Sequence, residues 1–164
     1  MPITRTLMAL LIVAAPLQLV AQENDIGDID MGALNSAIAA QRQVSEAQRQ
    51  LIVAENLTLT ESESLDFWPL YREYRAQVAK LEDRSVAVIT QFAREYSTLG
   101  DEQALRLLND SLKIDLDHEK LKQRYVKKFA KIVPGVMVGR FMQIEMRLDT
   151  IARLKLQTAI PLAM

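Results

Sequence analysis

The stretch from Leu59 to Leu99 constrains the fold most. It runs from Thr60 to Leu99 without a glycine, and its apolar residues keep a helical period. Thr60 followed three residues later by Glu63 is a capping box: the hydroxyl accepts from the N–H of Glu63, and the carboxylate returns to the N–H of Thr60. Leu65, Trp68, Tyr71, Val78, Leu81, Val88, Phe92 and Tyr96 then recur at threes, fours and sevens, which is one face of a helix. Such a helix from Thr60 to Ser97 is about 57 Å long at 1.5 Å per residue. Pro69 removes one backbone donor inside it and crowds the carbonyl a turn earlier, so a kink or a restart is expected there.

Thr98-Leu99-Gly100-Asp101 ends this helix. Asp101 or Thr98 is expected to cap the next one, which should reach Ile132. Its buried stripe is Leu107, Ile114, His118, Leu121, Tyr125, Phe129 and Ile132, and its last turns carry Lys120, Lys122, Arg124, Lys127, Lys128 and Lys131. Cations suit the negative end of a helix dipole. Pro134 opens a further helix with Met137, Phe141, Ile144, Leu148 and Ile151 on one side, and Pro161 stops it. Upstream, a weaker pattern predicts a helix from Asn35 or Ser36 to about Glu55.

With 5 glycines, 5 prolines and no hairpin dipeptide, the chain is expected to be all-α: about four helices in long antiparallel hairpins, kinked at Pro69. Three amphipathic helices make a thin layer with apolar surface left over. A homodimer or a closed four-helix bundle would cover it.

The first residues have a different character. Arg5 precedes an apolar run from Leu7 to Val20, and Ala21 follows. A basic start, an apolar stretch of about 14 residues and a small residue fit a secretory signal peptide over 1–21, cut after Ala21. The run is shorter than the roughly 20 residues needed to span a bilayer, so any membrane contact would come only through an uncleaved signal. Residues 22–34, with Glu23, Asp25, Asp28 and Asp30, read as a mobile acidic arm before a single helical domain over 35–164. The expected location is the periplasm. Cutting the signal removes Arg5 and no acid, which leaves 19 basic against 21 acidic residues. That balance gives no reason to expect nucleic-acid binding. There is no cysteine, hence no disulfide and no lipoprotein anchor.

No nucleophilic triad, phosphate loop or paired carboxylates in a plausible pocket can be assembled, so no catalytic residue, metal ligand or cofactor is assigned and an enzyme is not expected. His118 is the only histidine, and a zinc set needs more. Pairing with Asp115, Asp117 or Glu119 is the simpler expectation. Met137, Met142 and Met146 lie at helical spacing and read as core rather than as a copper cluster. Trp68 and Tyr71 are candidates for an aromatic partner-binding patch, against the simpler reading of packing at Pro69. Lys120, Arg124, Lys127 and Lys128 are candidates for meeting acidic segments of a partner, against that of a solvated helix end.

Leu59-Thr60-Glu61-Ser62-Glu63 resembles the L-T-x-x-Q motif of the Spy/CpxP family of periplasmic helical proteins, with Glu63 in place of Gln. Leu99-Gly100-Asp101-Glu102-Gln103 resembles a second copy, with Gly100 in place of Thr. Phe67-Trp68-Pro69-Leu70-Tyr71 and Arg140-Phe141-Met142-Gln143-Ile144-Glu145 are similar to an uncharacterised exported branch related to that family. The resemblance covers roughly Leu57 to Ile160. It implies a curved helical hairpin, often dimeric, serving envelope stress as a chaperone for unfolded proteins or as a modulator of another envelope protein. A metal-responsive sensor and a structural envelope partner are the alternatives.

Overall fold

The computed structural model describes residues 30–42, 46–157 and 160. The expected signal peptide, its cut after Ala21, the arm up to residue 29 and the tail Leu162–Met164 lie outside these residues. Among the described residues there is no strand. The helices are α1 (Met31–Arg42), α2 (Glu46–Asn56), α3 (Glu61–Glu95), α4 (Asp101–Phe129) and α5 (Gly135–Gln157), with one 3₁₀ turn at Tyr96–Thr98.

α3 starts at the capping box read from the sequence. Glu63 Oε2 accepts from the Thr60 N–H at 2.8 Å, and Thr60 Oγ1 accepts from the Glu63 N–H at 3.3 Å. The Thr60 backbone donor, then its hydroxyl, hold the Glu63 carboxyl below its ordinary value. α3 continues unbroken through Pro69, so the expected restart does not occur. α4 starts differently from expectation. Gly100 is the N-cap, Asp101 is the first helical residue, and Thr98 donates its hydroxyl back to the Glu95 carbonyl. Gln103 Oε1 accepts from the Gly100 N–H at 3.1 Å. Glycine has no hydroxyl to return the bond, so this is half of a capping box. The charge of Asp101 still faces the positive end of α4.

The segment expected as one helix from Asn35 to Glu55 is α1 and α2. α1 begins inside the expected arm because Asp30 Oδ1 accepts from the N–H groups of Gly32 and Ala33, at 2.8 and 3.1 Å. Leu34, also placed in the arm, is fully buried. α4 ends at Phe129, three residues before Ile132, in turns that return the N–H groups of Ile132 and Val133 to the Phe129 carbonyl.

α3 and α4 pack along each other with residue numbers running oppositely: Tyr74 meets Tyr125, and Arg84 meets Asp117. α5 lies against α1 and α2. The main core gathers Val53, Phe67, Tyr71, Tyr74, Val78, Leu121, Tyr125, Phe129, Val138 and Phe141. Phe129 is its hub, with ring centroids 4.7 Å from Phe141 and 5.0 Å from Phe67. Fully burying one such side chain stabilises by about 1.5–3 kcal/mol. A smaller core at the other end of α3 joins Leu34, Ile38, Ala93 and Leu156.

The buried stripes agree in part with those read in the sequence: Tyr71, Val78 and Phe141 are buried as expected, and other positions differ. On α3 the inward positions are Phe67, Tyr71, Tyr74 and Val78, while Leu65 is 77 % exposed. On α5 they are Val138, Phe141, Met142, Glu145, Ala152 and Leu156, and Ile151 is exposed. The α4 stripe from Leu107 to Phe129 is buried as expected, with Ile132 half-buried.

Candidate functional site

The two apolar cores are separated by a charged layer. Glu145 is 1 % exposed and comes from α5. Its Oε2 accepts from Arg49 Nη1 of α2 and from Arg75 Nη1 of α3, both at 3.2 Å. Arg49 also reaches Asp149 at 2.9 Å, and Arg75 reaches Glu46 at 2.8 Å. The Tyr71 hydroxyl donates to the other Glu145 oxygen at 3.4 Å. Burial pushes the Glu145 carboxyl up while the two guanidiniums pull it down. Burial also works against charge on Arg75, but the carboxylates of Glu46 and Glu145 outweigh it and hold the guanidinium charged. Charges withdrawn from water are tolerated only when paired and hydrogen-bonded in this way.

Next to this layer lies a cleft of about 430 Å³, bordered by Arg49, Arg75, Asp115, His118, Asp149 and Arg153 among others. His118 is 7 % exposed. Burial, and then the positive charge of Arg153, push its pKa below the ordinary histidine value. The acids expected to pair with it are engaged elsewhere: Asp115 with Arg153 at 3.2 Å, Asp117 with Arg84 at 2.8 Å and Glu119 with Lys122 at 2.7 Å. Guanidinium and ammonium groups compete better for a carboxylate than a neutral imidazole does. Among the described residues no group of three or more His, Cys, Asp or Glu is placed to hold a metal ion. Met142 is core, as expected, but Met146 one turn on is 54 % exposed.

The aromatic candidates do not form a free patch. Tyr71 is 2 % exposed, and its ring stacks on Phe67 and meets the edge of Phe141. Trp68 is half-buried, edge-on to Phe67 at 5.2 Å and to Tyr71 at 5.6 Å. Tyr71 therefore packs and anchors Glu145, and is not available to a partner.

The basic candidates are divided. Lys128 donates to Glu73 Oε1 at 2.8 Å and lies 4.5 Å over the Tyr125 ring, so it is tied down. That lysine, then the Tyr125 hydroxyl, hold the Glu73 carboxyl below its ordinary value. Lys120, Arg124 and Lys127 are exposed, and the charges of Lys120 and Arg124 help the Arg84 hydrogen bond hold the Asp117 carboxyl below its ordinary value.

The apolar surface that remains open was not singled out from the sequence. Val88, Ile89 and Phe92 of α3, Leu99, and Ala104, Leu105, Leu107 and Leu108 of α4 line a groove of about 390 Å³, with Ser111 and Ile160 at its edge. From it a row of leucines runs on along α4. Leu105, Leu108, Leu112 and Leu116 are 59, 55, 56 and 53 % exposed. The signal was present in the spacing of three, four and four, but the Leu107–Phe129 stripe on the opposite side of α4 had already satisfied the expectation of one buried face.

No described helix is long and apolar enough to cross a membrane. Comparison with known proteins finds no matching family model, no matching curated protein and no matching solved structure, so the reading of function rests on the geometry above.

Proposed function

We propose that this is an exported helical binding protein of the periplasm, released from a signal peptide over 1–21. It acts without ATP, as a chaperone or an accessory of envelope stress, and not as an enzyme. α3 and α4 form the working hairpin. Its task is weak capture of apolar segments of partly unfolded chains, aided by cations that attract their acidic stretches.

The observation that carries this reading is the open apolar surface of the α3–α4 pair: the groove at Val88, Phe92 and Leu99 and the leucine row beyond it. Contiguous exposed apolar surface on a folded domain marks an interaction site. Lys120, Arg124 and Lys127, exposed on the same helix, supply the charge. The ordered ionic layer, by contrast, has its arginines already committed to internal carboxylates, and it serves the fold.

The test is light scattering from a chemically denatured client diluted into buffer with the chain from residue 22 onward. Suppression at near-equimolar protein, without nucleotide, is expected. An aggregation curve identical to that with an inert protein removes the chaperone reading.

A further inference from the structure

We infer that the apolar groove and the charged cleft are two halves of one site, which takes a single-chain amphiphile with a primary ammonium head. The alkyl chain lies in the groove and the head enters the cleft. This goes beyond the capture of unfolded chains and uses the cleft, which that reading leaves idle.

The two cavities adjoin. Ile89 of α3, Ser111 of α4 and Ile160 line both of them. On α4 the groove residues Ala104 and Leu107, then Ser111, then the cleft residues Asp115 and His118 follow at threes and fours. One side of the helix therefore passes from apolar to polar at Ser111. α3, which runs the other way, makes the same change: Phe92 and Ile89 line the groove, and Ser85 and Glu82 line the cleft. From Ala104 to Ser111 the groove follows α4 for about 10 Å at 1.5 Å per residue. Volumes of about 390 and 430 Å³ suit a small molecule, with apolar walls for affinity and a few polar groups to fix its orientation.

Charge selects the head. Glu46, Glu82, Asp83, Asp115 and Asp149 line the cleft against three arginines. Two of those arginines, Arg49 and Arg75, also serve the buried Glu145, and Arg153 is held by Asp115. Negative charge is in excess, which favours a cation. His118 supplies a directional contact. It is 7 % exposed, borders the cleft and makes no hydrogen bond with a described residue. A buried polar group left in that state calls for a partner. Burial and the charge of Arg153 keep the imidazole neutral at pH 7. One ring nitrogen is then an acceptor. A primary ammonium has three donors, one for that nitrogen and two for the carboxylates around it. A carboxylate head would instead meet the excess of acid.

Calorimetry of the native chain with hexylamine, octylamine, decylamine and decanoate, each below its micelle-forming concentration, tests the site. Affinity for the amines should rise about fourfold per added methylene until the chain outruns the groove. Decylamine should bind at least tenfold more tightly than decanoate. Its titration should also move the imidazole proton signals of His118, the only histidine. Phe92→Ser should reduce the gain per methylene. Asp115→Asn breaks an exposed ion pair of little weight in the fold. It removes one carboxylate and leaves Arg153 uncompensated, so decylamine should weaken about tenfold while decanoate tightens. General damage to the fold would weaken both. Equal affinity for decylamine and decanoate, affinity flat with chain length, or unmoved His118 signals overturn the proposal. Failure here is separable from failure of the capture reading. A chain that protects a client but binds no amine overturns only this site, and one that binds amine but protects nothing overturns only the capture.

Discussion

At the Phe129 end of the α3–α4 pair, aromatic rings from α3, α4 and α5 meet at 4.7 to 6.4 Å, and Val53 of α2 with Leu57 just after it closes the layer. At the Gly100 end the corresponding surface is a groove lined by Val88, Phe92, Leu99 and Leu108 that no described residue fills. The helix starts differ in the same sense. α3 opens with a complete capping box at Thr60, and α4 opens with half of one at Gly100. The difference separates two tasks within one pair of helices. The closed end holds the fold, and the open end leaves apolar surface available for binding. Between them the Glu145 layer joins α2, α3 and α5 by hydrogen-bonded ion pairs.

The largest expected effects fall on the closed end and on the layer beside it. Glu145→Ala leaves Arg49 and Arg75 buried without their shared acceptor and should cost about 3–5 kcal/mol in a urea titration. The combined replacement R49M/R75M/E145L should recover most of that loss, because an apolar filling removes the desolvation cost together with the pair. If it recovers nothing, the layer is doing more than satisfying its own charges. Phe129→Ala should likewise cost about 3–5 kcal/mol, since the hub ring leaves a cavity among Phe67, Tyr125 and Phe141. An equal loss for Phe92→Ala at the open end would erase the distinction between the two ends.

A pH titration probes the middle of the comparison. His118 has a folded-state pKa below its ordinary value of 6.5, so the unfolded chain takes up its proton first as pH falls. Stability associated with His118 is therefore complete above pH 6.5 and declines as pH drops from there toward the folded pKa. Thermal midpoints for the native chain should fall across that window, and His118→Gln should flatten the fall. An identical slope in the variant would place the sensitivity elsewhere.

Smaller effects test the two helix starts. Thr60→Ala removes the side-chain acceptor for the Glu63 N–H and should cost about 1 kcal/mol. Gly100→Ser would complete the half box at α4. A Cβ there meets nothing closer than Gln103 Oε1 at 3.7 Å, so the change should stabilise by only a few tenths of a kcal/mol. A gain as large as the Thr60 loss would show that the start of α4 is frayed.

Helix content, the α3 start and the buried stripe of α4 were legible because propensity, capping chemistry and a strong period agree there. The faces of α3 and α5 were legible only in part: Tyr71, Val78 and Phe141 are buried as read, while Leu65 and Ile151 are exposed. Apolar residues flanking Phe67 and Phe141 leave the centre and width of each stripe open, and packing decides them. The Glu145 layer was hidden for another reason. A charged residue in a helical pattern is read as facing water, and the exception becomes visible only when α2 and α3 bring their arginines to it. One clue was available: Glu145 follows Phe141 by four residues and precedes Ala152 by seven, which is a core position. The cap at Asp101 was misplaced by one residue because the Gly100 backbone can cap without a side chain. The open leucine row was written in the spacing of α4, but a search for one face per helix stops at the first.

The central claim is that the open end of the α3–α4 pair captures apolar segments. The most direct measurement is aggregation of a denatured client in the presence of the native chain, of V88S/F92S in the groove, and of T60A at the closed end. The account predicts protection by the native chain and by T60A, and its loss in V88S/F92S with helix content retained by circular dichroism. Undiminished protection by V88S/F92S would contradict it.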